Sequence, residues 1–163
     1  METPSAISER IRNAVSKYTT SIIQIAFSYT KNLHDAEDIA QDVFLAYMTK
    51  NPDLESEAHE KAWLIRVAIN KSKDHVKSHW FRLRTSLPED LGYCYHPGEG
   101  QELLQAIMEL DNKYRIPIHL FYYEDYSINE IAGILGTRPS TVATWLERGR
   151  GLIRKKLGGM SDE

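Results

Sequence analysis

Between Thr85 and Gly100 the chain loses the apolar periodicity that governs the rest of it. This stretch contains Pro88, Gly92, Pro97, Gly98 and Gly100, residues that restrict or free the backbone against regular structure. On both sides apolar residues return every three or four positions, the spacing of one helix face. A chain patterned in this way divides into two helical bodies joined by a flexible linker. Its 163 residues, 42% of them apolar, suffice for two small cores with little to spare. No strand alternation or internal repeat competes. The expected fold is all-α, with a first small helical domain over residues 1–84, a linker over 85–100, a second helical domain over 101–159 and a tail over 160–163.

In the first domain Ile11, Val15, Tyr18, Ile22, Ile25 and Tyr29 form the stripe of one long helix, which Asn32 is expected to end. Asp35 is placed to cap the next helix, whose stripe is Ala36, Ile39, Ala40, Val43, Phe44 and Tyr47. The polar segment from Asn51 to Glu60 contains Pro52 and reads as a loop. A third helix is expected from about Lys61 to His79, burying Ala62, Ile65, Ala68, Ile69 and Val76. Beyond the linker the period resumes at Leu103, Ala106, Ile107 and Leu110, breaks at Asp111 and Asn112, and continues through Tyr123. Pro117 in that last stretch is expected to kink the helix or shift its start.

The second half then carries a compact signature. Ser127 and Glu130 have the spacing of a capping box, in which hydroxyl and carboxylate satisfy open N–H groups at a helix start. Ile128, Ile131, Ala132 and Leu135 form the inner side of a short helix, and Gly136 suits a tight turn. Thr137 can cap a second helix, with Pro139 tolerated in its first turn. Val142, Leu146, Gly149, Ile153 and Leu157 line the inner face of that helix. Two helices, a glycine turn and a basic second helix make a helix-turn-helix. Such a second helix lays its first turns on base edges in the major groove. Arg138, Ser140, Thr141, Thr144 and Trp145 then stand nearest the bases, while Arg148, Arg150, Arg154, Lys155 and Lys156 suit phosphates. An ordinary hairpin with a basic surface shares part of this pattern.

Charge distribution says more than the net charge of -3. From Lys61 to Arg84 seven Lys or Arg face one acid, Asp74; from Arg138 to Lys156 six face one acid, Glu147; and Asp35 to Asp42 holds four acids and no base. Two basic segments suggest two nucleic-acid contacts, and the acidic one a different partner. On the second helix Asp38, Gln41, Asp42 and Leu45 share a face, suited to a basic, partly apolar protein surface or to plain solvation. On the third, Arg66, Asn70, Lys73 and Lys77 share a face suited to a nucleic-acid backbone. Trp63, Trp80 and Phe81 lie near it; aromatic rings beside cations hold unpaired bases, although Trp63 also fits a core.

Other classes find little support. No apolar run approaches the roughly 20 residues needed to span a bilayer, and the N-terminus lacks a secretory pattern. A single cysteine, Cys94, excludes an internal disulfide and fits a reducing cytoplasm. There is no CxxC, HExxH or phosphate-binding glycine loop, so no cofactor or catalytic group is expected. His75 and His79 have metal-ligand spacing but no third ligand, and Cys94 could act as a redox sensor only if its thiolate were stabilised.

Four blocks together resemble one family. Asp35-Ala-Glu-Asp-Ile-Ala-Gln-Asp-Val-Phe44 resembles the polymerase-binding helix of extracytoplasmic-function sigma factors, and Lys61-Ala-Trp-Leu-Ile-Arg-Val-Ala-Ile-Asn70 the helix after their promoter-melting loop. Tyr126 to Gly136 and Ser140 to Arg150 resemble their second DNA-binding domain. The order of the blocks and the linker between them agree with that family. The resemblance implies a sigma region 2-like domain followed by a region 4-like one. It implies that Asp35, Asp38, Gln41, Asp42 and Leu45 contact core RNA polymerase, on its beta-prime subunit, with a further contact to beta. The loop from Asn51 to Glu60, with Leu54 and His59, would capture a flipped minus-ten base, and Lys61, Trp63, Arg66, Asn70 and Lys73 would surround the opening strand. Arg138, Ser140, Thr141, Thr144, Trp145 and Arg148 would read the minus-thirty-five duplex.

It further implies a cytoplasmic protein held inactive by an anti-sigma factor, without membrane insertion of its own. The chain departs from the family at Ala143 and Trp145, where basic residues are frequent, at Glu147, at Leu54, near which an aromatic is frequent, and at Asp111 and Pro117. A free-standing helix-turn-helix regulator that never joins polymerase is the alternative; it leaves the acidic stripe and the basic third helix without a purpose.

Overall fold

The structure, a computed structural model, describes residues 3–78 and 100–161. The chain divides into two compact units, residues 1–88 and 89–163. Among the described residues there are seven α-helices and one π-helical turn, and no strand. Most of the expected linker, with His79, Trp80, Phe81 and Cys94, falls outside the described residues.

In the first unit, helix α1 (Pro4–Thr30) begins well before Ile11. Its polar opening turns are helical because Thr3 caps them, accepting the Ala6 N–H at 3.1 Å, and Pro4 supplies a preset φ. The helix ends at Lys31 in the left-handed region, φ 55°. Asn32 therefore does not end α1. It caps α2 (Leu33–Lys50), its side-chain oxygen accepting the Asp35 N–H at 2.9 Å. Asp35 is accordingly inside the first turn and not the cap. Asn51, also left-handed, closes α2 through its N–H to the Tyr47 carbonyl at 2.9 Å.

Helix α3 (Glu57–Val76) starts earlier than its basic face suggests, because Ser56 accepts the His59 N–H at 3.1 Å. Glu57 and Glu60 in that first turn complement the helix dipole. The connecting loop shortens to residues 51–56. Each of the three helices packs against the other two. Ile22, Ile25, Phe27, Val43, Tyr47, Leu64, Ile65 and Ile69 fill the space between them, each 2% exposed or less. Ala62 and Val76, expected in the core, are half-buried.

The second unit holds α4 (Gln101–Met108), α5 (Asn112–Ile118), the π-helical turn (His119–Tyr123), α6 (Ile128–Leu135) and α7 (Pro139–Ser161). Helices α4, α5 and α6 all pack on α7, which is the spine of the unit. Arg115, 3% exposed, turns its guanidinium inward. It donates to the carbonyls of Leu110 and Met108 and to the Asn112 side chain, satisfying acceptors left open where α4 ends.

Pro117 sits inside α5 and neither starts nor stops it. Lacking an N–H, it removes one rung of the helical ladder. The chain then widens into the π turn, where the Glu124 N–H bonds the His119 carbonyl at 3.3 Å, five residues back.

The Ser127–Glu130 capping box is complete: Ser127 Oγ accepts the Glu130 N–H at 3.1 Å, and Glu130 accepts the Ser127 N–H at 2.9 Å. Ser127→Ala is expected to lower the stability of the second unit by about 1 kcal/mol, measurable by thermal unfolding. Gly136 closes α6 with φ 68°, and its αL conformation is the reason glycine belongs there. Helix α7 begins at Pro139, and the Arg138 carbonyl accepts its first bond, from Val142 N at 3.1 Å. The capping position is therefore Arg138 and not Thr137.

Candidate nucleic-acid interface

Helix α2 presents two faces to two environments. Ala36, Ile39, Ala40, Val43 and Tyr47 are buried, while Asp38, Gln41, Asp42 and Leu45 are exposed, as the helical offsets require. Leu45 is 54% and Met48 49% exposed, large values for apolar side chains in a folded unit. Both line a groove between α1 and α2 with Ile11, Val15, Ile23 and Phe44, and Asp38 and Gln41 stand on its polar edge. Val15, expected inside, is 39% exposed because it faces this groove. The apolar stripe of α1 therefore serves the core at its C-terminal end and a surface near its start.

Asp35 differs from the stripe beside it. It is 6% exposed, and its carboxylate lies 3.2 Å from His75 Nε2 on α3. That contact ties the start of α2 to the end of α3, and it takes His75 as a carboxylate partner. Asp35→Ala is expected to destabilise the first unit by about 1–2 kcal/mol, seen in urea unfolding, in contrast to exposed Asp38.

The loop of residues 51–56 is braced from below. Arg10 donates to the Asn51 side chain and lies over the Tyr47 ring at 5.2 Å, while the Tyr47 hydroxyl donates to Glu60. The Glu55 N–H donates to His59 Nδ1 at 3.3 Å. Lys17 and Glu57 form an exposed ion pair; its hydrogen bond holds the Glu57 carboxyl below its ordinary range and raises the Lys17 ammonium. Half-buried Leu54 lines a small recess of about 210 Å³ with Arg10, Tyr47, Glu55, Ser56, Glu57 and Glu60.

Helix α3 continues from this recess. Trp63 is half-buried and meets Tyr47 edge to face, centroids 5.6 Å apart. Arg66, Asn70 and Lys73 are exposed and follow Trp63 at offsets of three, seven and ten, along one face. Lys61 is half-buried at the start of that run. The loop, an aromatic edge and a basic stripe thus lie in succession, with Leu54 and His59 at their head.

In the second unit Arg138, Ser140, Thr144 and Arg148 are exposed, and Thr141 and Trp145 are half-buried on the flank of α7. Val142 and Leu146 are fully buried beneath them. Farther along, Arg150 donates to the Tyr122 hydroxyl at 3.2 Å, and Lys156 pairs with Glu109 at 2.9 Å. These two cations, expected to meet phosphates, are engaged within their own unit. At Gly149 α7 passes close to α5: a Cβ there would lie 2.6 Å from Ile118 Cδ1 and 3.3 Å from Tyr114 Cβ.

Comparison with known proteins places both units. The family model for Sigma-70 region 2 matches residues 14–82, and that for Sigma-70, region 4 matches residues 100–153. The chain is 29% identical over 161 residues to the ECF RNA polymerase sigma factor SigW of Bacillus subtilis, covering 88% of this chain and 86% of that one. It is 26% identical to the RNA polymerase sigma factor SigV of the same organism, covering 88% of each. Among solved structures, the fold is similar to the sigma factor RpoE of Bartonella quintana, solved with the anti-sigma factor NepR, with a TM-score of 0.75 at 18% identity over 91% of this chain and 97% of that one. It is also similar to CnrH, solved with the cytosolic domain of CnrY, with a TM-score of 0.70 at 23% identity over 96% of this chain and 91% of that one. With region 2 in its first unit and region 4 in its second, the chain belongs to the RNA polymerase sigma factors of the extracytoplasmic-function type.

Proposed function

We propose that this alternative sigma factor grips core RNA polymerase with the exposed face of α2 and directs it to promoters read by α3 and α7. Residues 1–84 bind polymerase and open the minus-ten element, residues 85–100 link the two bodies, and residues 101–159 read the minus-thirty-five element. The observation that carries this reading is the run of acidic stripe, recess and basic stripe on the first unit, in a chain whose second unit exposes a basic recognition helix. Asp38, Gln41 and Asp42 offer acceptors beside an apolar groove, a combination that fits a basic amphipathic helix of the polymerase beta-prime subunit. The apolar part contributes burial, and the acids contribute orientation and rate of encounter.

Strand opening then proceeds by binding energy. An extruded base loses stacking worth a few kcal/mol. The recess at Leu54 offsets part of that cost by burying the base, and Arg66, Asn70 and Lys73 offset more along the displaced backbone. Trp63 offers a ring edge at the junction. Arg138, Ser140, Thr141, Thr144, Trp145 and Arg148 hold the upstream duplex meanwhile. The role is non-catalytic: no bond is made or broken by this chain. Its place is the cytoplasm, where polymerase is, and among the described residues no helix is long and apolar enough to cross a membrane. An anti-sigma factor is its proposed inhibitor, as the similar sigma factor RpoE was solved with one.

Run-off transcription with purified core polymerase tests the proposal, on promoters from the organism's own genome. Transcripts that require the added chain are expected. Failure to bind core polymerase at all would overturn the reading in favour of a free-standing regulator.

A further inference from the structure

The recognition helix carries one residue of the wrong sign for a phosphate-lined groove. Glu147 is exposed, and no ion pair ties it to a described residue. It follows Ser140 and Thr144 at offsets of seven and three, so the three side chains share the outward face of α7. They span about 10 Å along the axis, roughly the rise of three base pairs. Thr144 does not compete for polar base edges through its hydroxyl proton: its Oγ1 donates to the Ser140 carbonyl at 3.0 Å, which leaves the methyl group as its principal offering to the groove. Polar reading beyond Ser140 on this face therefore falls to Glu147, at its C-terminal end, flanked by Arg148, which can anchor to phosphate.

A carboxylate only accepts hydrogen bonds. Guanine shows it only acceptors in the major groove, and thymine shows an acceptor and a methyl. Adenine has an amino group, but its N7 acceptor lies alongside and repels a second oxygen. Cytosine presents its N4 amine beside a C–H edge, with no competing lone pair. We propose that Glu147 reads a cytosine in the duplex bound by α7, its carboxylate accepting from the N4 amine. This rests on the promoter-reading role proposed above. It turns the misplaced charge into selectivity: opposite any other base, Glu147 is desolvated among phosphates without a good donor.

The test is transcription by core polymerase with the full chain, wild type or Glu147→Gln, on a promoter library randomised across the upstream duplex element, with the transcripts sequenced. The wild type is expected to prefer cytosine at one position. Glutamine adds a donor and suits adenine's N6 and N7, so the variant is expected to lose the cytosine preference by roughly fivefold or more at that position and to accept adenine there. An unchanged base profile, or a uniform rise for every sequence from removal of a repulsive charge, overturns the role of Glu147 while leaving the sigma reading intact. No transcript from any library member with the wild type overturns both.

Discussion

Alanine at both Asp38 and Gln41 is expected to weaken binding to core polymerase by on the order of tenfold to a hundredfold and to cut run-off transcription in step, while the unfolding curve stays where it was. Both side chains are exposed on α2, so their removal costs the fold little. Their value lies in a complex, where the groove edge is desolvated and a truncated acceptor leaves a partner's donor unsatisfied. The affinity can be measured by fluorescence titration of core polymerase, and stability by urea unfolding of the same samples. Asp35→Ala reverses the pattern: it acts through the His75 contact, so the unfolding curve moves and core affinity follows only as far as the folded fraction falls. Should the Asp38/Gln41 double variant bind core polymerase as the wild type does, the α2 face is not the contact.

The second large effect is structural. Gly149→Val is expected to destabilise the second unit by about 3 kcal/mol and to abolish upstream DNA binding with it. The first added carbon already meets Ile118 Cδ1 at 2.6 Å and Tyr114 Cβ at 3.3 Å, and the Tyr114 Cβ, fixed to its backbone, cannot turn aside. Valine adds two more methyl groups at the same place. Gly151 is the internal control. It lies two residues on in the same helix, and a Cβ there meets nothing within 4 Å. Gly151→Ala is therefore expected to stabilise the unit by up to about 1 kcal/mol through helix propensity. Urea unfolding of both variants separates close packing from propensity; equal shifts in the two would remove the packing account.

What could be read from the sequence followed the physics of burial. The apolar stripes of α2, α3 and α7 and the capping box at Ser127 were legible because spacing alone defines them. The start of α1 was not, since residues 4–10 bury little and so carry no period; only Thr3 and Pro4 announce it. Ser56 was overlooked for a similar reason: beside Pro52 and several acids it looks like more loop. Asp35 shows a different limit. It was expected to cap α2 and, by resemblance, to contact polymerase, yet the turn of the helix aims it at His75, a partner forty positions away that no local pattern reveals. Val15 belonged to the inward stripe by count, but a stripe can extend past the core it serves, and where it does it becomes a groove. Buried Arg115 gave no hint of its role, because the carbonyls it satisfies exist only once α4 has ended.

The π turn at His119–Tyr123 has a consequence for descent. A five-residue hydrogen-bonded step holds one more residue than a regular helical step, so it has the form of an insertion absorbed without breaking the helix. A relative with one residue fewer here would run straight from α5 to the following turn. Aligned by structure, such a relative would show a single gap inside 119–123, and the residues beyond it would stay in register. Pro117, just upstream, makes the spot permissive, because the ladder there already lacks a rung. Lineages could therefore gain or lose a residue at this point and reorient Tyr122 while keeping the recognition helix that follows.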